Sequence, residues 1–198
     1  QGIAIHKIKE IRLKRDTSHC QNKILFDTPF IDLKTVEERK RELSREKLRQ
    51  LEWYVKKLER YTSEENLKSV YRNLKTLKVE RNFIMLIKGV AGRYNSFKNR
   101  MQYALKDSIG HEFLHMASSY YDPKSKQENS GFCQHKESMT IGLGLDEGYT
   151  ELLASRIYNK NHKEVRVARL FELFFDNPKE MENYYFNHNL PGFIHHME

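Results

Sequence analysis

Apolar residues recur along much of the chain at three-, four- and seven-residue steps, the spacing that gathers them on one face of an α-helix. Val36, Leu43, Leu48, Leu51, Val55 and Leu58 follow mostly such steps, with charged residues on the opposite face. Thr35-Val36-Glu37-Glu38 at its start fits a capping box, in which a hydroxyl and a carboxylate satisfy the first free backbone N–H groups. A second box, Thr62-Ser63-Glu64-Glu65, opens the series Leu67, Val70, Tyr71, Leu74 and Leu77. Two helices over about 35–78, joined by a short turn, predict an αα-hairpin.

Elsewhere the pattern is less regular. Residues 3–8 alternate weakly and 24–26 are apolar before Pro29, so both are candidate strands. The apolar run 83–87 fits a strand or a buried turn of helix equally well. Residues 91–95 read as a turn, and 97–118 as a helix with Met101, Tyr103, Ala104, Ile109, Phe113, Leu114 and Met116 as its apolar positions. A polar, turn-rich stretch covers 121–131, with short strands expected over 131–135 and 139–143. Helices are expected over 145–158, over 164–175 and from Asn177-Pro178 through Met181 to Phe186, with Leu190 and Phe193 packing as a C-terminal cap. The expected fold is mostly α (α+β), with a small β element in the middle. It divides into an N-terminal segment, 1–81, carrying the helical hairpin, and a second unit, 82–198.

The 198 residues are 38% apolar, 31% charged and 12% aromatic, enough for one domain with a helical appendage. The longest apolar run is five residues, against the roughly 20 that a membrane-spanning helix needs, so no span is expected. Four Pro and nine Gly exclude fibrous chains. Cys20 and Cys133 are too few for a disulfide scaffold, and the lack of a CxxC pair excludes a cysteine zinc knuckle. Gln1 is followed by no apolar leader, a start compatible with a removed targeting segment; the compartment stays open, with the cytoplasm preferred to secretion. The net charge of +8 resides entirely in residues 1–81, which hold 21 Lys+Arg against 13 Asp+Glu. Such a segment can attract nucleic acid or an acidic protein. Its interleaved glutamates fit a solvated helix surface better.

Candidate chemistry lies in His111-Glu112-Phe113-Leu114-His115, an HExxH motif within the expected helix. Positions i and i+4 share a helix face, so two imidazoles can converge on one metal ion. The glutamate beside them can hold a water and take its proton. With 9 His and 20 Glu in this chain, roughly 0.04 such matches are expected by chance. Zinc in a catalytic site takes a third protein ligand and keeps an open position. The HExxHxxGxxH continuation is absent, since Ser118 and Tyr121 occupy the Gly and His places. Downstream, Leu145-Asp146-Glu147-Gly148-Tyr149-Thr150-Glu151-Leu152 opens a helix in which Glu147 and Glu151 share a face. One can ligate a metal while the other holds a ligating histidine. Solvated acids in a first helical turn are the plainer alternative. His135 is a further candidate ligand, though a loop histidine is the simpler reading.

HExxH followed by a helix of the form Asp/Asn-Glu-Gly-x-Thr-Glu resembles the gluzincin metallopeptidases, over roughly residues 108–155. The resemblance implies a zincin-like core in 82–198, one Zn2+ held by His111, His115 and Glu147, and Glu112 as general base. It also implies that Glu151 braces a histidine, most simply His111. Asp146 stands where such enzymes often carry Asn, and the 31 residues between His115 and Glu147 imply an inserted hairpin or loop around 121–140. The implied activity is hydrolysis of a peptide or protein substrate. A second donor for the developing oxyanion is expected among Tyr149, Tyr158, Tyr184, Tyr185 and His188. Gly131-Phe132 and residues 141–144 either line a substrate cleft or serve as turns and core. The competing function is a catalytically silent binding module, for nucleic acid or an acidic protein, with a structural or vestigial metal site.

Overall fold

The computed structural model describes residues 12–16, 21–25, 45–122, 124–125, 127–136, 139–159 and 166–198, and within them the fold is mixed α/β. An antiparallel hairpin of β1 (Arg12–Asp16) and β2 (Gln21–Leu25) comes first. Helix α1 (Arg45–Tyr61) follows, then a 3-10 turn (Glu65–Leu67) that runs into α2 (Lys68–Leu74). Strand β3 (Lys78–Arg81) leads through a one-turn helix, α3 (Ile84–Ile87), to β4 (Gly92–Asn95) and β5 (Arg100–Tyr103). These strands form a sheet of order β3-β5-β4, with β3 parallel and β4 antiparallel to β5. Helix α4 (Ile109–Ala117) comes next, then an antiparallel meander of β6 (Ser119–Asp122), β7 (Gln127–Ser130), β8 (Cys133–Lys136) and β9 (Met139–Ile141). Helices α5 (Leu143–Tyr158), α6 (Arg166–Glu172), α7 (Pro178–Phe186) and α8 (Leu190–Met197) complete the chain.

The helical hairpin is described from residue 45 onward. Val36, Leu43, the first capping box and the alternating 3–8 stretch lie outside the described residues. At the second box, Ser63 Oγ accepts from the Asn66 backbone N–H at 3.5 Å, and Asn66 Nδ2 donates to Thr62 Oγ1 at 2.9 Å. Two expectations are corrected. Residues 92–95 are a strand, not a turn, because Tyr94 pairs with Met101 across the sheet. The helix expected over 97–118 begins only at Ile109. Met101 and Tyr103 alternate with half-buried residues in β5, and the adjacent Ala104 disguised that two-residue period as a helical one. The polar, turn-rich stretch 121–131 holds the end of β6 and all of β7, an antiparallel hairpin where a hairpin or loop was expected around 121–140, and its connection is tightened by Asp122 accepting from the Lys124 N–H and the Ser125 hydroxyl. The run 83–87 forms a turn of helix, but only Met85 of α3 is buried.

One continuous cluster of buried side chains extends from Leu51 in α1 to Phe193 in α8. The boundary expected after residue 81 falls at the end of β3, within a sheet. Helix α4 is held from several sides. Phe113 has no exposed surface and stacks on Tyr54 of α1, with ring centroids 5.7 Å apart. Burial of one such side chain contributes about 1.5–3 kcal/mol. Tyr54 also meets Tyr158 of α5 edge-on at 4.7 Å. A Cβ on Gly110 would come within 2.9 Å of the Tyr158 ring and 3.0 Å of the Tyr54 ring, so glycine there lets both approach α4. At the far end, Asn73 Nδ2 donates to the Met116 and Ser119 carbonyls at 2.7 and 2.9 Å, and Arg72 Nη2 to the Ser119 carbonyl at 3.0 Å. Side chains of α2 thereby satisfy carbonyls that the end of a helix leaves open.

Candidate metal centre

The HExxH segment lies wholly within α4, so His111 and His115 stand one turn apart, with ring centroids 4.6 Å from each other. Their Nε2 atoms are 2.9 Å apart. Glu147 approaches from α5, with Oε2 3.1 Å from His111 Nε2 and Oε1 3.4 Å from His115 Nε2. Donor atoms of the three residues lie within 4.8 Å of one another. A tetrahedral zinc with bonds of about 2.0–2.1 Å separates its ligand atoms by about 3.3 Å; the two ring nitrogens, and each of them with its own Glu147 oxygen, lie near that spacing. The hydrogen bonds from both histidines hold the Glu147 carboxyl well below the usual carboxylate range, so it is charged.

The opposite nitrogens of both rings are occupied. His111 Nδ1 lies 2.7 Å from Glu151 Oε2, and His115 Nδ1 lies 3.3 Å from Asp146 Oδ2. A carboxylate only accepts, so each Nδ1 carries the proton. In the neutral ring that leaves each Nε2 as a lone pair, and the two lone pairs face each other across 2.9 Å. Two such nitrogens at that distance need a proton on one of them or a metal cation between them. Burial disfavours charge on His115, but the Asp146 and Glu147 carboxylates outweigh it and raise its pKa. The same pair of carboxylates favours a metal cation at that nitrogen.

Glu151 therefore stands behind His111. Asp146 as the brace of His115 was not foreseen, although the acid one position before Glu147 was visible. One residue along a helix is about 100° of rotation, which turns Asp146 away from Glu147 and toward the far side of His115. Asp146 is almost completely buried, and its Oδ1 accepts from the Phe132 backbone N–H at 2.9 Å. That N–H is brought close by Gly131, which has φ +52; a Cβ there would lie 2.0 Å from Asp146 Oδ1.

Glu112 is 6% exposed and lies against the start of β4. Burial pushes its carboxyl pKa up, while His115 and His111 pull it back and the Tyr94 backbone N–H hydrogen-bonds to it. A Cβ on Gly92 would come within 2.6 Å of Glu112 Oε1 and 2.6 Å of Ser108 Oγ. Gly92→Ala is therefore expected to displace Glu112 without touching the histidines or Glu147. The peptide cleavage that the resemblance implies should then fall by about tenfold or more, for a carboxylate moved by about 1 Å, with any metal content unchanged by elemental analysis. Equal activity in that variant would mean that Glu112 has no fixed position to lose.

The other expected residues have different surroundings. His135 lies on β8, with Nδ1 3.0 Å from Thr140 Oγ1 and Nε2 3.7 Å from Cys133 Sγ, outside the three-residue cluster. Tyr149, Tyr158 and Tyr185 are buried in the core, Tyr185 with its hydroxyl 2.7 Å from Thr150 Oγ1. Tyr184 packs edge-on against Phe193. His188 stacks on Tyr120 with centroids 5.2 Å apart, and burial followed by Arg72 lowers its pKa to about 4. Gly131 and Gly142 are positive-φ turns and Phe132 is core. The Cys133 thiol is buried, which pushes its pKa up to about 12; Cys20 lies outside the described residues. No family model, curated protein or solved structure matches the chain.

Proposed function

We propose that the protein is a zinc-dependent metallopeptidase of the gluzincin type, built on a zincin-like core and holding one Zn2+ per chain. The observation that carries this reading is the pair of histidines whose Nδ1 atoms are both held by carboxylates and whose Nε2 atoms meet Glu147 around one point. Three protein donors, among the described residues, leave a tetrahedral ion one open position, as catalytic zinc has and structural zinc lacks. That count favours a peptidase over a silent binding module.

His111, His115 and Glu147 hold the metal, while Glu151 and Asp146 fix the two rings. When bound, zinc supplies Lewis-acid polarisation of the scissile carbonyl and lowers the pKa of a water. Glu112, next to His111 in α4, takes a proton on its carboxylate and delivers it to the leaving amine. Its burial suits this role, because a desolvated carboxylate is a stronger base. Strand β4 is the outer strand of its sheet and begins against Glu112, so an extended peptide can add along its edge beside the site.

The test is elemental analysis of the purified protein together with digestion of a mixed peptide library. About one zinc per chain is expected, with cleavage that a chelator abolishes and added zinc restores. A protein that takes up no zinc on reconstitution, or that takes it up and leaves every peptide intact, would overturn the proposal.

A further inference from the structure

We propose that α3 and the residues around it form a docking surface for an anionic lipid bilayer. In this one-turn helix Phe83, Ile84, Leu86 and Ile87 are 57%, 66%, 43% and 87% exposed, and only Met85 points into the protein. Consecutive helix positions lie about 100° apart, so these four side chains surround the turn on every side but one. The result is an apolar knob. Leu105 is also exposed and lies beside the segment that leaves α3, where the Ala104 and Leu105 N–H groups both donate to the Ala91 carbonyl.

The chain segment that carries the knob is positively charged. Between Glu80 and Asp107 the chain carries six Lys+Arg and no acidic residue, although it holds 27 Asp+Glu in all. Arg81, Lys88, Arg93 and Lys106 are exposed, while Arg100 is paired with Glu80 at 2.6 Å. The Arg81 guanidinium lies over the Phe83 ring, 4.2 Å from its centroid. An apolar tip within a basic collar matches a membrane interface, where acyl chains take the tip and anionic headgroups the collar. All-round exposure suits a fluid apolar medium better than a protein socket, which contacts one face. Single-stranded nucleic acid is gripped by stacking on aromatic rings, whereas three of the four tip residues are aliphatic. No helix among the described residues is long and apolar enough to cross a membrane, so the contact is interfacial. Gly92 follows α3 by five residues and lies against Glu112, so docking through α3 brings that side of the candidate site toward the lipid surface.

The experiment is vesicle flotation of the intact protein with phosphatidylcholine alone and with phosphatidylglycerol added. It requires no enzymatic activity. The wild type should float with the anionic vesicles, less so as salt rises. The double variant Ile84→Ser/Ile87→Ser should bind by more than about tenfold less, and Arg81→Glu/Lys88→Glu should lose the preference for anionic lipid. Unchanged melting temperatures keep misfolding from producing either result. A wild type that stays with the soluble fraction at low salt, or a serine variant that floats equally well, would overturn the proposal. So would self-association, or binding of a single-stranded oligonucleotide in preference to vesicles, that the serine variant abolishes.

Discussion

Replacing Glu112 by Gln is expected to lower peptide cleavage by about 10²–10⁴-fold while zinc stays bound. Glutamine has nearly the same shape and still accepts from the Tyr94 backbone N–H, so the side chain keeps its place against Gly92. It cannot take a proton at neutral pH, which removes the base and nothing else. Zinc should be indifferent, because the donor cluster is His111, His115 and Glu147. Stability should not fall either: burial already raises the Glu112 pKa, so its charge is held at a cost that a neutral amide avoids. Measuring kcat/KM beside zinc content separates the outcomes. A variant within a few-fold of wild type would place the base elsewhere, and one that loses zinc would make Glu112 a ligand.

The residues around the candidate ion were legible where local geometry alone fixes them. His111 and His115, like Glu147 and Glu151, are four apart, and any α-helix puts such pairs on one face. Asp146 and Gly92 were not legible, because their roles depend on contacts between elements far apart in sequence. Asp146 gains its role from the Phe132 N–H and the back of His115, and Gly92 from the lack of a Cβ where Glu112 lies. The strands failed for a related reason. Residues 92–95 and 100–103 are four-residue segments whose partners are each other and β3, and so short a stretch carries too few positions to reveal a two-residue period. Polar β6 and β7 resembled loop because a half-solvated hairpin and a loop share the same composition. Helix α5 was legible within two residues, since it is long and closes at Asn159 with φ 54.

Zinc affinity should fall most in Glu147→Ala, and measurably in Asp146→Asn. The first removes one of three donors and the only charged one, and should weaken zinc by more than about 100-fold, since outer partners alone account for 10–100-fold. The second removes no donor. Both oxygens of Asp146 accept, Oδ1 from the Phe132 N–H and Oδ2 from His115 Nδ1. An asparagine offers one accepting oxygen and turns an NH2 toward the other partner. If the oxygen stays with Phe132, the NH2 meets His115 Nδ1, the ring proton is driven to Nε2, and the lone pair meant for zinc is lost. If the oxygen turns to His115, the Phe132 N–H is left buried against a donor, which costs about 1–3 kcal/mol of stability. Competition against a chromogenic chelator and a thermal melt read the two routes separately: about 10–100-fold weaker zinc in the first case, a lowered melting temperature in the second. Wild-type values for both would mean that Asp146 braces neither group. The two ring nitrogens would then need another reason to face each other across 2.9 Å.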